Sequence, residues 1–328
     1  MPQCMEKYKN DFAIRFAKVM EKNLFNFKVC QKEYLKNLYT TDIKASALMA
    51  TAITLLIIFG NICSLIRISE PFQLLYIKFT PFYWIIIFVI AFIRNIPIEN
   101  KKYQKSIKKI LFPKLLTIFT NEIQHKHKLI SAQIFDSSNL LKKKVSNRFP
   151  DDFFNGIYNN IEFNINEIEL TNITSTPDNK SDITTLFKGI ALNFTMSKSI
   201  TKQIFIYSKK YKKTPKGYEK VELEDNKFCK KYNVFVQKGG QIEARYLLTT
   251  AFLDRFMQLQ MSFKVKDLKC SVWDNNILFL LSTNKDLFEM NHLFGRIDDV
   301  HQYDHLFDEF ASVLSFIDVL NLASKTGL

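Results

Sequence analysis

Four groups of residues in this chain have types and spacings that could do chemistry. In GGQIEARYLLTTAFLDRF, residues 239–256, Glu243 and Arg245 stand just ahead of an apolar run. A carboxylate and a guanidinium so placed could bind or protonate a substrate. That work needs a further titratable group within hydrogen-bond reach, and no His, Cys or second carboxylate is spaced to supply one. His125 and His127, in QHKHKL, could share a metal only from a strand or loop; no third ligand is nearby, and they read as solvated polar residues. His301 and His305 are one helical turn apart, with Asp298, Asp299 and Asp304 close by. They could hold a cation, but HxxxH without HExxH is a weak signal. Finally, Glu162, Glu167 and Glu169 would have to meet that C-terminal His and Asp cluster in space to act as acids and bases.

Composition narrows the classes further. The chain has 328 residues and only 8 glycines, with no P-loop and no GxGxxG, so glycine-rich phosphate cradles are not expected. Five cysteines, Cys4, Cys30, Cys63, Cys229 and Cys270, form no CxxC and leave an odd count; they read as reduced thiols facing a cytosol. The formal net charge is +14. With abundant Lys, Asn, Ile and Phe this resembles coding bias, and it suits an anionic lipid surface as well as nucleic acid. No catalytic, metal or cofactor-binding residue is assigned, no cofactor is expected, and nucleic acid is not expected as a partner.

The elements that would position these residues fall into two textures. The run ASALMATAITLLIIFGNICSLI, residues 45–66, carries no charge, and about 20 apolar residues span a bilayer core. The run at 71–93 is interrupted by Lys78, with Tyr83 and Trp84 suited to an interfacial belt. Nine Lys and Arg precede the first run and seven lie between Arg94 and Lys114. Together these predict a transmembrane hairpin with both termini cytoplasmic. Ahead of it, Phe12, Phe16, Val19, Phe27, Cys30 and Tyr34 recur at helical spacing with Asp11 as N-cap. That helix would lie on a membrane, pack on the C-terminal domain or pair with a second copy.

From residue 151 the texture turns to strands. Ile161, Phe163, Ile165 and Ile168 alternate with polar residues. TTLFKGIALNFTMS, KQIFIYSKK, EKVELED and YNVFVQ read as further short strands. The lysine-rich KKYKKTPKG between two of them reads as a solvated hairpin tip, where only Tyr211 could stack a base. Gly239 and Gly240 end a strand. From Ile242 one helix is predicted, with Tyr246, Leu247, Phe252, Phe256, Leu259 and Phe263 on its apolar face and Glu243 in its first turn, where a carboxylate favours the helix dipole. LKCSVWDNNILFLLS reads as a hairpin turning at Asp274, Asn275 and Asn276. A last helix carries Tyr303, Leu306, Phe307, Phe310, Val313, Leu314, Ile317 and Leu320 on one face.

LFKGIALNFTMSKSITKQIFIYSKK, KVELEDNKFCKKYNVFVQ and IEARYLLTTAFLDRF occur in that order, and with them the chain resembles the bacterial domain of unknown function 3137 family, often mislabelled as galanin. Phe187 to Gly189, Phe228 and Glu243 to Leu248 are the most specific matches, and the likeness covers roughly residues 100–295. The resemblance implies a two-span inner-membrane protein with a C-terminal soluble domain, and a partner among small LemA-like membrane proteins. It supplies no catalytic residue.

The expected fold is α+β: an amphipathic cytosolic helix at 1–43, a transmembrane hairpin at 44–94, a basic juxtamembrane helical region at 95–150, and a cytosolic, mostly antiparallel sheet with flanking helices at 151–328. The expected location is the bacterial inner membrane. The expected function is a membrane-anchored interaction or scaffold domain rather than an enzyme, with Lys188, Gly189, Glu243 and Arg245 as candidate partner surface. Homo-oligomerisation is left open. The alternatives are a membrane-associated enzyme acting on lipid or envelope precursors, or a sensor of anionic lipid headgroups.

Overall fold

The computed structural model describes residues 3–65, 70–117, 119, 122–125, 128–175, 181–265, 267–285, 287–289 and 294–325. They divide into two compact units. One comprises residues 1–17, 112–289 and 300–328; the other comprises 18–111 and 290–299.

The second unit is helical. Helix α1 (Gln3–Asn37) passes through a π-helical turn, Leu38–Asp42, into α2 (Ile43–Leu65), and α3 runs unbroken from Glu70 to Leu116. The apolar positions Phe27, Leu38, Tyr103, Ile107 and Leu111 are buried. The Tyr34 hydroxyl lies 2.6 Å from Ser106 Oγ, and its ring meets Tyr103 edge-on. Burial raises the Tyr103 hydroxyl pKa well above the usual phenol range. Gln31 donates to the Gly295 carbonyl at 2.8 Å, and Lys28 pairs with Asp298.

The expected transmembrane hairpin is overturned. Among the described residues no helix is long and apolar enough to cross a membrane. The described part of α2 buries Ser46 and Thr54 beside Ala50, and the Thr54 hydroxyl bonds back to Ala50 O. The second run is no separate span but the start of a 47-residue helix, which goes on through Arg94 and the lysines of residues 101–114. The side chains of Cys63, Lys78, Tyr83 and Trp84, and residues 66–69, lie outside the described residues.

The first unit is α+β, with a mostly antiparallel sheet and helices beside it. Its strands are β1 (Gln124–His125), β2 (Asn147–Tyr158), β3 (Ile161–Ser175), β4 (Ser181–Ser208), β5 (Tyr218–Val221), β6 (Tyr232–Gln237) and β7 (Asp267–Ser282). The order is β1-β2-β3-β4-β6-β5, with β7 on the other edge of β4, and every pairing is antiparallel. The turn from β2 to β3 uses Asn159 and Asn160 at φ 48° and 63°, the left-handed pair a tight hairpin requires.

Strand β4 organises the sheet. Its first half pairs β3, its last residues pair β6, and β7 follows it along the opposite edge. Between Thr195 and Ile204 its register against β7 slips twice. A bulge of this kind bends a strand and leaves amides unpaired. β7 bends with it at Asp274 (φ 46°), so LKCSVWDNNILFLLS is one bent strand, not a hairpin. Gly189 sits further up β4 with φ 143°, and a Cβ there would meet Leu281 O at 2.0 Å.

One face of the sheet is covered by α4 (Ala132–Ser137) and its flanking loops, through Ile130, Phe135, Leu140, Phe205, Phe235 and Trp273. On the other, α7 (Thr250–Ser262) and α8 (Asp304–Lys325) pack through phenylalanines. Phe316 contacts Phe194, Phe252 and Phe279 at centroid distances of 5.4, 5.1 and 5.0 Å. The predicted apolar face of α8 is buried throughout, from Tyr303 to Leu320. The first turns of α1 join this unit: Phe12 contacts Phe307 and Phe16 contacts Tyr303, each at 5.0 Å. Asp11 lies inside α1 rather than capping it.

Candidate functional site

The helix predicted from Ile242 is two. Helix α6 (Gln241–Leu247) ends at Leu248, and α7 restarts with Thr249 as N-cap, its hydroxyl accepting from Phe252 N. Gly239 (φ 82°) makes the turn out of β6, and Gly240 lets the chain pass close to β4 and β6. A Cβ on Gly240 would lie 2.8 Å from Lys202 Cβ and 2.5 Å from Val236 Cγ2. That approach sets α6 against the β4 bulge.

Glu243 then closes the contact. Its carboxylate accepts from Thr201 N at 2.8 Å, Lys202 N at 3.1 Å and the Thr201 hydroxyl at 3.1 Å. Gln237 Oε1 takes the next amide, Gln203 N, at 3.2 Å. Three successive amides that the bulge removes from the ladder are thus satisfied by side chains. Charge-assisted bonds of this kind are among the stronger ones in proteins.

With Ala244 and Leu248 buried beneath it, α6 shows solvent a different set of residues. Ile242 is 73% exposed and Tyr246 55% exposed, and Arg245 beside them is exposed. Ile242 and Tyr246 are one helical turn apart and share a face. The sequence places Ile242 and Tyr246 on one apolar stripe with Phe252; the break at Leu248 shifts the phase, so that only Phe252, Phe256, Leu259 and Phe263 of that stripe are buried. The signal that could have found the break is Thr249 itself, an N-capping residue three ahead of Phe252.

The other two candidate residues lie elsewhere on β4. Lys188 pairs with Glu169 at 3.3 Å, where Thr185 also donates to Glu169, and Gly189 is packed against the Leu281 carbonyl. The structure brings Glu243 to the bulge and leaves Lys188 and Gly189 thirteen residues back along the same strand.

The acid–base candidates do not converge. On β3, Glu162 is exposed on one face while Glu167 and Glu169 lie on the other by strand alternation. Glu167 is buried and accepts from Leu287 N at 3.1 Å. His301 bonds Asp304 at the surface, His305 reaches the Glu289 carbonyl, and Asp298 serves Lys28 and Arg296. Among the described residues no group of three His, Cys, Asp or Glu could hold a metal. His125 corrects the expectation of a solvated residue. It is partly buried on β1, 2.9 Å from Asp152 Oδ1, with its ring against Phe112 and Phe154. His127 lies outside the described residues.

Two clefts remain. One of about 550 Å³ is lined by polar residues including Arg15, Glu122, Tyr158 and Asn160. Another of about 260 Å³ lies beside Lys209, Lys220, Cys229 and Asn233. In the second, the Cys229 thiol donates to the Leu223 carbonyl at 3.4 Å, and no histidine among the described residues lines either cleft.

No curated protein matches the chain. Among solved structures it is similar to the mycobacterial trehalose monomycolate transport factor A, TtfA, at 10% identity and TM-score 0.34, over 60% of this chain and 86% of that one. A likeness that weak carries no argument about function. The model of a family described as a protein of unknown function (DUF3137) matches residues 185–322, which run from β4 through α8 and include the bulge, the Glu243 contact and α6. This match supports the resemblance to the DUF3137 family read from the sequence.

Proposed function

We propose that the α+β unit is a protein-interaction domain whose docking surface is the outer face of α6. The observation that carries this reading is the exposed Ile242, Arg245 and Tyr246 on a helix fixed to the sheet by Glu243. Tyr and Arg dominate the energetics of protein interfaces, and a rigid platform lowers the entropy lost on docking. The partner presents an apolar side chain to Ile242 and Tyr246 and a carboxylate to Arg245, which has no ion pair among the described residues. The dispersed carboxylates and histidines support this reading over an enzyme.

The test is a photo-crosslinking amino acid at position 246, with position 285 as exposed control, followed by reconstitution with the purified captured protein. The expected result is one protein captured from 246 alone, whose binding falls with Arg245→Glu. Equal capture from both positions, or binding indifferent to Arg245→Glu, rejects the surface. Capture of a second copy makes the interface a homo-oligomeric one.

A further inference from the structure

The loop after β4 gains basic neighbours that are distant in sequence. Lys209, Lys210, Lys212 and Lys213 lie in the first part of the loop, and all are exposed; Lys216 stands apart, where the loop reaches the far end of β6. Helix α5 (Asn226–Lys231) runs beside it and ends in Lys230 and Lys231. The two segments are tied: Lys209 N donates to the Lys231 carbonyl at 2.7 Å, and Lys209 Nζ to the Cys229 carbonyl at 2.6 Å. From β7, Lys269 stands opposite Tyr207, with its ammonium 5.0 Å from the Tyr211 ring centroid; Lys210 stands 5.2 Å from the same ring. The acids at this end are Asp267, which pairs with Lys210 at 2.9 Å, and Glu222 and Glu224, which precede α5, Glu222 lining a cleft with Lys209; against them stand seven lysines, at 209, 210, 212, 213, 230, 231 and 269. Asp225, at the far end of α5, has its carboxylate occupied in capping Lys227 N and Phe228 N.

We propose that this lysine-rich end is a docking surface for an anionic lipid layer. Charge complementarity is the argument, and the make-up of the patch selects the occupant. No apolar side chain is exposed along 209–213 or 226–231, since Phe228 is buried; a protein interface would have an apolar centre. The stretch holds no arginine, the residue suited to bidentate reading of a fixed phosphate. Tyr211, its one partly exposed aromatic ring, is flanked by two ammoniums and by Tyr207 at 5.5 Å, which leaves no open platform for a nucleic-acid base. Flexible point charges spread over a loop and a helix end match a diffuse headgroup layer.

The test is sedimentation of the full chain with vesicles of phosphatidylcholine, with and without about 30 mol% phosphatidylglycerol, at two salt concentrations. The variant Lys212→Gln/Lys213→Gln/Lys230→Gln/Lys231→Gln removes four charges from side chains with no structural contact in the patch. Lys142→Gln/Lys143→Gln/Lys144→Gln/Lys285→Gln removes four elsewhere. Wild type is expected to prefer the anionic vesicles and to release with salt. Loss of the patch weakens that binding by about fivefold per lysine, on the order of several hundredfold in all. If the quadruple variant misfolds, Lys212→Gln/Lys213→Gln alone is expected to cost about 25-fold. The proposal is overturned by equal binding to both vesicles, by an equal loss in the control variant, by release with millimolar inorganic phosphate at constant ionic strength, or by tighter binding to RNA or duplex DNA at the same salt.

Discussion

Replacing Glu309 with Gln should remove a pH dependence that the fold imposes on itself. Glu309 lies on α8 at 3% exposure, and its Oε2 accepts no hydrogen bond among the described residues. Burial raises its pKa from 4.5 to about 8; Lys264 offsets part of this and Asp308 adds to it. The folded protein therefore holds this proton more tightly than the unfolded chain does. The resulting stabilisation is complete below about pH 4.5 and is lost as pH rises through about 8. One pKa unit corresponds to about 1.4 kcal/mol, so from pH 5 to pH 7 the loss is about 2–3 kcal/mol. That is a large share of a typical stability. The assay is urea unfolding at pH 5, 6, 7 and 8, followed by Trp273 fluorescence in a Trp84→Phe background. Glu309→Gln cannot titrate, so the difference between the two proteins should shift toward the variant by that amount. A difference constant to within about 0.5 kcal/mol would refute the reasoning and place a solvated, ionised carboxylate at this position.

Three further substitutions test the packing of the α+β unit. Glu243→Ala should leave the amides of Thr201 and Lys202 unsatisfied and cost about 1–2 kcal/mol in denaturant unfolding, whereas a capping or dipole role alone would cost a few tenths. Gly189→Ala, with its Cβ driven into Leu281 O, should cost at least about 3 kcal/mol or abolish soluble expression; a neutral result would mean that β4 and β7 do not approach there as described. Phe252→Ala should lower stability by about 3–5 kcal/mol, because the ring is buried against Phe316 and Phe256 and the packed core cannot close over the gap.

Local patterns carried the parts of the fold that obey one period. Ile161, Phe163 and Ile165 announce β3 by alternation, and Phe310, Val313, Leu314 and Ile317 announce α8. What misled were places where two elements share a phase or one element breaks its own. Ile242 and Tyr246 continue the stripe of α7 in sequence, yet the break at Leu248 turns them to solvent. Asp274, Asn275 and Asn276 have turn chemistry, but they only bend β7 alongside a bulged partner. The bulge also explains why β4 reads as separate strands. The uncharged run at 45–66 is a strong local signal for a span, and the structure gives no span among the described residues. Glu243 was legible as a first-turn carboxylate. Its actual work, binding amides more than 40 residues earlier, is set by the sheet. The lysines at 230, 231 and 269 join the 209–216 loop for the same reason, through strand pairing rather than proximity in sequence.

The most direct test of the interaction surface is calorimetric titration of the purified partner, identified through position 246, into wild type and Tyr246→Ala. Tyr246 is more than half exposed, so its truncation should leave stability within about 0.5 kcal/mol. If the outer face of α6 is the docking surface, the same change should weaken binding by about 2 kcal/mol, roughly 30-fold. An affinity equal to that of wild type, with stability equally unchanged, would contradict the account and remove α6 from the interface.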